Sequence, residues 1–212
     1  MLAGRLAAGG PIESFEVSSV HAALLLTDVV GFTAYVEQVS AARPTGLEDL
    51  ARDFDMYFSD LVGLVYGHGG DVLAIAGDAF FSYWPVDAEG DLPDAVMRAA
   101  ETGLAIQAGL GAERRPALHR FQTRAGVSAG TLRTAFVGGI GDRWELMPVG
   151  SPIDDVARAE RLAPPGAVAI AAPAWELVRA RCRGNDLEDG VVELTGVDRP
   201  AAPMPAASLT AP

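Results

Sequence analysis

The dipeptide Gly77-Asp78 lies between two apolar runs, 71–76 and 79–84, with nothing else separating them. A two-residue connection that contains glycine, flanked by strand-forming residues, is the sequence signature of a tight β-hairpin. That fixes two antiparallel strands and places Asp78 at their tip. Upstream, Leu47, Leu50, Phe54, Tyr57, Phe58, Leu61, Val62 and Val65 recur at helical spacing, which predicts a long amphipathic helix. Before that helix, the apolar run 22–26 reads as a buried strand. It ends at Asp28 and passes through Gly31 into a helix-like stretch. Downstream, a helix is predicted over 92–110, with Val96, Ala99, Ala100, Gly103 and Ile106 on its inner face. Strands are predicted over 121–128 and 134–137, with Gly130 and the Gly138-Gly139 pair as breakers.

Strand, helix, hairpin, helix, strand is the order of an α+β, ferredoxin-like (βαββαβ) domain, with a mostly antiparallel sheet and helices packed on one face. Ser151 is predicted to cap a third helix that has Pro152 at its first position. A strand near Val168, a helix near Ala174 and a late strand near Val191 complete the domain. Residues 1–13 read as a disordered tail, 14–198 as the domain, and 199–212 as a Pro/Ala-rich linker or tail.

The chain has 212 residues, half of them hydrophobic, enough for one domain with a real core. Its net charge of −12 argues against a nucleic-acid or anionic-membrane partner, because no basic patch exists to displace counterions. A nucleotide is still allowed, since a bound divalent cation reverses the local charge. No run is long and apolar enough for a membrane span, and the small, glycine-rich start lacks the apolar core of a signal peptide. The lone Cys182 suits a reducing compartment. These features predict a soluble, cytoplasmic protein.

Carboxylates at a strand end and at a hairpin tip stand on the rim of a sheet. Asp28 and Asp78 converging there would suit Mg²⁺, which takes one or two carboxylates and the phosphates of a substrate. The plainer alternative is that Asp28 caps the following helix and Asp78 makes a turn. His21, His68 and His119 are scattered and form no ligand pattern.

Several ordered segments, taken together, resemble the class III nucleotidyl cyclases, the family of adenylate and guanylate cyclases. They are Leu26-Thr27-Asp28-Val29-Val30-Gly31-Phe32-Thr33, Gly69-Gly70-Asp71-Val72-Leu73, Ala76-Gly77-Asp78-Ala79-Phe80, Arg124-Ala125-Gly126-Val127-Ser128-Ala129-Gly130, and Val149-Gly150-Ser151-Pro152-Ile153-Asp154-Asp155-Val156-Ala157-Arg158. The last is most similar to the first catalytic half of the bicarbonate-responsive soluble adenylate cyclases. The resemblance implies a phosphorus–oxygen lyase that makes a cyclic 3′,5′-nucleotide, most readily from ATP, for cyclic-nucleotide signalling. It implies two Mg²⁺ or Mn²⁺ ions held by Asp28, Asp78 and the backbone of Val29. It further implies a phosphate cradle at Val30, Gly31, Phe32 and Thr33, Arg124 on the terminal phosphates, and Arg158 as a transition-state arginine acting across a dimer interface.

Three positions depart from the family. Ala74 and Met147 stand where it reads the base with a lysine and an acidic or polar residue, and Asp154 stands where it orients the ribose with asparagine. Asp154 and Arg158 also suit an i, i+4 pair, and Ser151 with Asp154 a capping box. Active sites of this family form between two catalytic domains, so the sequence resembles a metal-holding partner that needs a second cyclase domain, as a homodimer or a paired domain. The alternative is a non-catalytic, cyclase-like module that binds nucleotide or regulates a partner.

Overall fold

The computed structural model of the protein describes residues 17–201, apart from 33, 35, 38, 40–45, 88, 112–121 and 141–142. The central strand is β1 (Val17–Val29). It is followed by α1 (Gly46–Gly67), the hairpin β2 (Asp71–Ala76) and β3 (Ala79–Val86), then α2 (Leu92–Gly111) and β4 (Thr123–Ile140). Next come β5 (Arg143–Val149), α3 (Ser151–Leu162), β6 (Val168–Ile170), α4 (Ala172–Val178), β7 (Cys182–Asp186) and β8 (Val192–Val197). The strands form one sheet in the order β2-β3-β1-β4-β6-β8-β7, with β5 also on β4. Every pairing is antiparallel except β4 with β6. The expected ferredoxin-like core is its β2-β3-β1-β4 half, in an α+β domain.

Why β1 is apolar without interruption follows from what covers it. Its odd positions Ala23, Leu25 and Val29 join the main core, which Leu50, Phe54, Tyr57, Leu61 and Val65 of α1, the inner face of α2, and Ala174 and Val178 of α4 fill from one side. Its even positions Ala22, Leu24 and Leu26 form a smaller cluster with Leu132 and with Val156 of α3. A strand buried on both faces reads as a continuous apolar run rather than an alternation. Thus α1, α2 and α4 share one face of the sheet, and α3 crosses the other.

The seat of α3 is made by small residues. Gly126 lies so close under it that a side chain there would meet the backbone at Val156 and Glu160, and Ser128 Oγ donates to the Pro152 carbonyl at 2.6 Å. The N-cap of α3 is Gly150, at φ 147°, with no side-chain capping bond. Ser151 therefore lies inside the helix, and neither the expected serine cap nor the capping box with Asp154 forms.

Two further differences concern strands. The runs at 121–128 and 134–137 belong to one strand, because β1 pairs with β4 continuously from Val17↔Ala135 to Val29↔Thr123 and carries it through Gly130. Strand β7 has a polar sequence, exposed in four of its five residues, and is held by β8 and not by burial. Where the Pro/Ala-rich stretch begins, Arg181 donates to the carbonyls of Arg199 and Pro200 and pairs with Asp94 of α2. The Ala201 amide donates to Glu101.

Candidate active site

Asp28 is the last residue but one of β1, and the ladder places it directly opposite Arg124 of β4. The Arg124 guanidinium reaches the Asp28 carboxylate, Nη2 to Oδ2, at 3.4 Å. From the neighbouring strand, the β2–β3 turn brings Asp78 to the same rim. Gly77 supplies the positive φ, 65°, that the two-residue turn needs. Asp78 lies within side-chain hydrogen-bonding reach of Asp28. Burial raises its pKa above the ordinary carboxylate range, its own backbone N–H opposes this, and the charge of Asp28 raises it further.

A third carboxylate belongs to this group. Glu160 of α3 is buried, with Oε1 2.5 Å from Nε of Arg124. The two atoms are not aligned for a hydrogen bond, so the contact is an ion pair. Burial lifts the pKa of Glu160, Arg124 pulls it back down, and Asp28 adds to the rise. Sequence reasoning passed over Glu160, although a signal existed. It lies on the same stripe of α3 as Val156, Ala159 and Ala163, and a charge on a buried stripe requires a partner.

The remaining predicted positions divide cleanly. Val29 is buried at the strand end, and the amide of Val30 donates to the Gln122 carbonyl at 2.8 Å, so it extends the ladder and is not free for a phosphate. Gly31 is exposed at φ 79°, with open space where a side chain would be. Phe32 turns inward onto Phe54, ring centroids 4.5 Å apart, and Thr33 lies outside the described residues. Ala74 is exposed on β2 and Met147 is 49% exposed on β5, with β3, β1 and β4 between their strands. Asp154 and Arg158 are exposed on α3, and no ion pair between them forms. The structure therefore gathers Asp28, Asp78 and Arg124, adds Glu160, and leaves the base-proximal positions apart.

Among the described residues, no cluster of three or more His, Cys, Asp and Glu could enclose a metal ion by itself. The group does fit a shared divalent cation. Three carboxylates against one guanidinium leave an excess of negative charge, and Asp28 and Asp78 face each other with their charges mutually unfavourable. A cation that takes two carboxylates and completes its shell with substrate phosphates suits such a rim.

With this geometry in place, similarity to known proteins is informative. The chain is 29% identical over 156 residues to adenylate cyclase type 10 of Oryctolagus cuniculus, a match spanning 73% of this chain and 10% of that protein. This chain is a homologue of adenylate cyclase type 10. It also shares its fold with class III cyclase catalytic domains. The dimeric guanylyl cyclase domain of the RhoGC fusion protein from Blastocladiella emersonii superposes with a TM-score of 0.70 at 15% identity, covering 87% of this chain and 99% of that one. The adenylyl cyclase CyaB from P. aeruginosa also gives 0.70 at 15% identity, covering 88% and 100%. No protein-family model matches the sequence. Among the described residues, no helix is long and apolar enough to cross a membrane.

Proposed function

We propose that this cyclase homology domain converts a nucleoside triphosphate, ATP ahead of the others, to a cyclic 3′,5′-nucleotide and pyrophosphate, together with a second cyclase domain. The observation that carries the reading is the meeting of Asp28 and Asp78 at one rim, with Arg124 beside them. ATP is put first because the homologous sequence is that of an adenylate cyclase. Asp28, Asp78 and the Val29 carbonyl would hold Mg²⁺ or Mn²⁺, as two ions, which would activate the ribose 3′-oxygen and neutralise the leaving pyrophosphate.

The other tasks fall to this chain's own side chains. Arg124, fixed by Glu160 and Asp28, keeps further N–H donors for the terminal phosphates, and guanidinium suits that geometry. Gly31 lets a phosphate approach the backbone closely where the chain leaves β1. Arg158, exposed on α3, is free to reach across to a substrate held between two domains and to stabilise charge on its α-phosphate. Ala74 and Met147 offer no hydrogen bond to a base, so a partner domain supplies base recognition. Those same two residues favour a second reading, a nucleotide-binding module without turnover.

The test is titration of a non-hydrolysable ATP analogue in Mn²⁺ against the wild type, Asp28→Ala and Asp78→Ala. Both variants are expected to keep their circular dichroism and lose metal-dependent binding. Equal affinity in all three rejects the site. Binding without product, even with a partner domain that carries a lysine and an acidic base-reading pair, selects the second reading.

A further inference from the structure

We infer that Glu160 is a positioning residue of the Asp28–Asp78 rim. From the helix side it takes the Nε edge of Arg124, which commits the outer guanidinium nitrogens to an anion, a polyphosphate bound together with the cation. This rests on the metal and phosphate reading above. Glu160 and Asp28 hold the same arginine in unlike ways. Glu160 Oε1 is 2.5 Å from Nε, and its side chain is 8% exposed. Asp28 Oδ2 stands 3.4 Å from Nη2, longer than an ordinary charge-assisted hydrogen bond, and its side chain is 23% exposed. One contact is short and enclosed beneath α3, and the other is long and open to solvent. The Glu160 contact therefore anchors the arginine, and the Asp28 contact is the one a phosphate oxygen can replace.

The backbone makes Glu160 a firm anchor. It lies on the buried stripe of α3 with Val156 and Ala159. Gly126 lets that helix come so near β4 that a Cβ there would stand 2.4 Å from the Glu160 nitrogen. Arg124 is two residues before Gly126 and shares its face of the strand. Close backbone approach thus fixes the carboxylate, and the carboxylate fixes the arginine. An apolar side chain would seat the helix without burying a charge, so the glutamate is explained by its partner and not by packing. The partner is suited to two tasks, because a guanidinium can serve one acceptor at Nε and another at its outer nitrogens, whereas a lysine has a single nitrogen.

The sign of the effect separates this role from a purely electrostatic one. By charge alone, removing a carboxylate beside a phosphate site strengthens anion binding, whereas losing the anchor weakens it. The experiment titrates inorganic tripolyphosphate in excess Mn²⁺, and separately Mn²⁺ alone, into the full chain. The proteins are wild type, Glu160→Gln, Arg124→Gln, their double variant and Asp28→Ala, at a temperature where circular dichroism shows each folded. Glu160→Gln is expected to weaken tripolyphosphate about tenfold, with Mn²⁺ affinity nearly unchanged, and to have no further effect in the Arg124→Gln background. Equal or tighter tripolyphosphate binding by Glu160→Gln, with Arg124→Gln weakened, overturns the role of Glu160 and leaves the rim's function standing. The same loss in both backgrounds also overturns it, because Glu160 then acts through the seating of α3 and not through Arg124. Mn²⁺ binding lost as in Asp28→Ala makes Glu160 a metal ligand, which overturns it too. Should Glu160→Gln not fold, Arg124→Lys decides, since it keeps a cation opposite Glu160. A loss of tripolyphosphate affinity like that of Arg124→Gln supports the anchor, and wild-type affinity overturns it. A wild type that binds neither Mn²⁺ nor tripolyphosphate overturns the reading of the rim itself.

Discussion

Glu160 on α3 and Arg124 on β4 form an ion pair, 2.5 Å from Oε1 to Nε, that ties the helix on one face of the sheet to the rim where Asp28 lies. The carboxylate is buried, whereas the guanidinium is 31% exposed, so water compensates part of any loss on the arginine side. Replacing Glu160 by Gln keeps the shape and removes the charge. The expected cost is about 1–3 kcal/mol, the range for leaving a buried polar group without its partner. Urea unfolding of Glu160→Gln, Arg124→Gln and the double variant measures it. If the two single effects simply add, Arg124 and Glu160 are not coupled, and the arginine is held by Asp28 alone.

Asp78 carries a pH dependence whose sign can be worked out. Burial and the charge of Asp28 raise its folded pKa above the unfolded value. The folded protein then holds this proton more tightly, so the contribution to stability is full below the unfolded pKa and is lost as pH rises through the folded one. Asp78→Asn removes that loss. In EDTA the variant is expected to be more stable than wild type at pH 7, with the gap closing below about pH 4. In Mn²⁺ the order should reverse, because the wild type alone gains a ligand's stabilisation. Melting at both pH values, with and without Mn²⁺, checks both halves. A variant less stable than wild type in EDTA at pH 7 contradicts the account.

Legibility in the sequence followed burial and turn chemistry. The hairpin at Gly77-Asp78, the apolar stripes of α1 and α2 and the buried β1 were readable, since each has a period or a turn signal of its own. Strand β7 was not, because after the buried Cys182 its residues are exposed and without apolar alternation, and they are ordered by pairing with β8. Gly130 misled as a breaker, because a neighbouring strand can carry a glycine that local propensity cannot. At the rim, Asp28, Asp78 and Arg124 were visible as motif positions. Glu160 was not singled out, because its significance lies in its contact with Arg124, on a strand distant in sequence.

Gly126 gives a backbone test of how α3 is seated. A Cβ there would stand 2.4 Å from both the Glu160 nitrogen and the Val156 oxygen, backbone atoms that cannot swing aside. Gly126→Ala is expected to lose about 1–3 kcal/mol through overpacking. It should also displace Glu160 from Arg124. Gly63 on the exposed side of α1 is the control, with nothing within 4 Å of the same added atom. Gly63→Ala is expected to gain about 0.5–1 kcal/mol from helix propensity. Opposite signs in thermal melts support a close approach of α3 to β4. A Gly126→Ala variant as stable as wild type means the helix sits higher than described.

The base-reading deficit makes the last prediction. Ala74 and Met147 are exposed on strands β2 and β5, and neither side chain can donate or accept a strong hydrogen bond. A homodimer of this chain would present those two residues in both of its sites. Alone, the chain is therefore expected to cyclise any nucleoside triphosphate very slowly or undetectably. Installing Ala74→Lys and Met147→Asp together should raise turnover of one purine triphosphate selectively, because a site built to hydrogen-bond a base rejects those that cannot match it. Both positions are solvent-exposed, so the double variant should fold like the wild type. Asp154, a carboxylate on the exposed face of α3, is expected to limit the gain, and adding Asp154→Asn should increase it further. The assay is product formation from ATP, GTP, CTP and UTP in Mn²⁺, for the wild type and the double and triple variants. Asp28→Ala in the triple background must abolish whatever activity appears. Robust turnover of a purine triphosphate by the wild-type chain alone would show that other residues read the base, and the need for an unlike partner domain would fall.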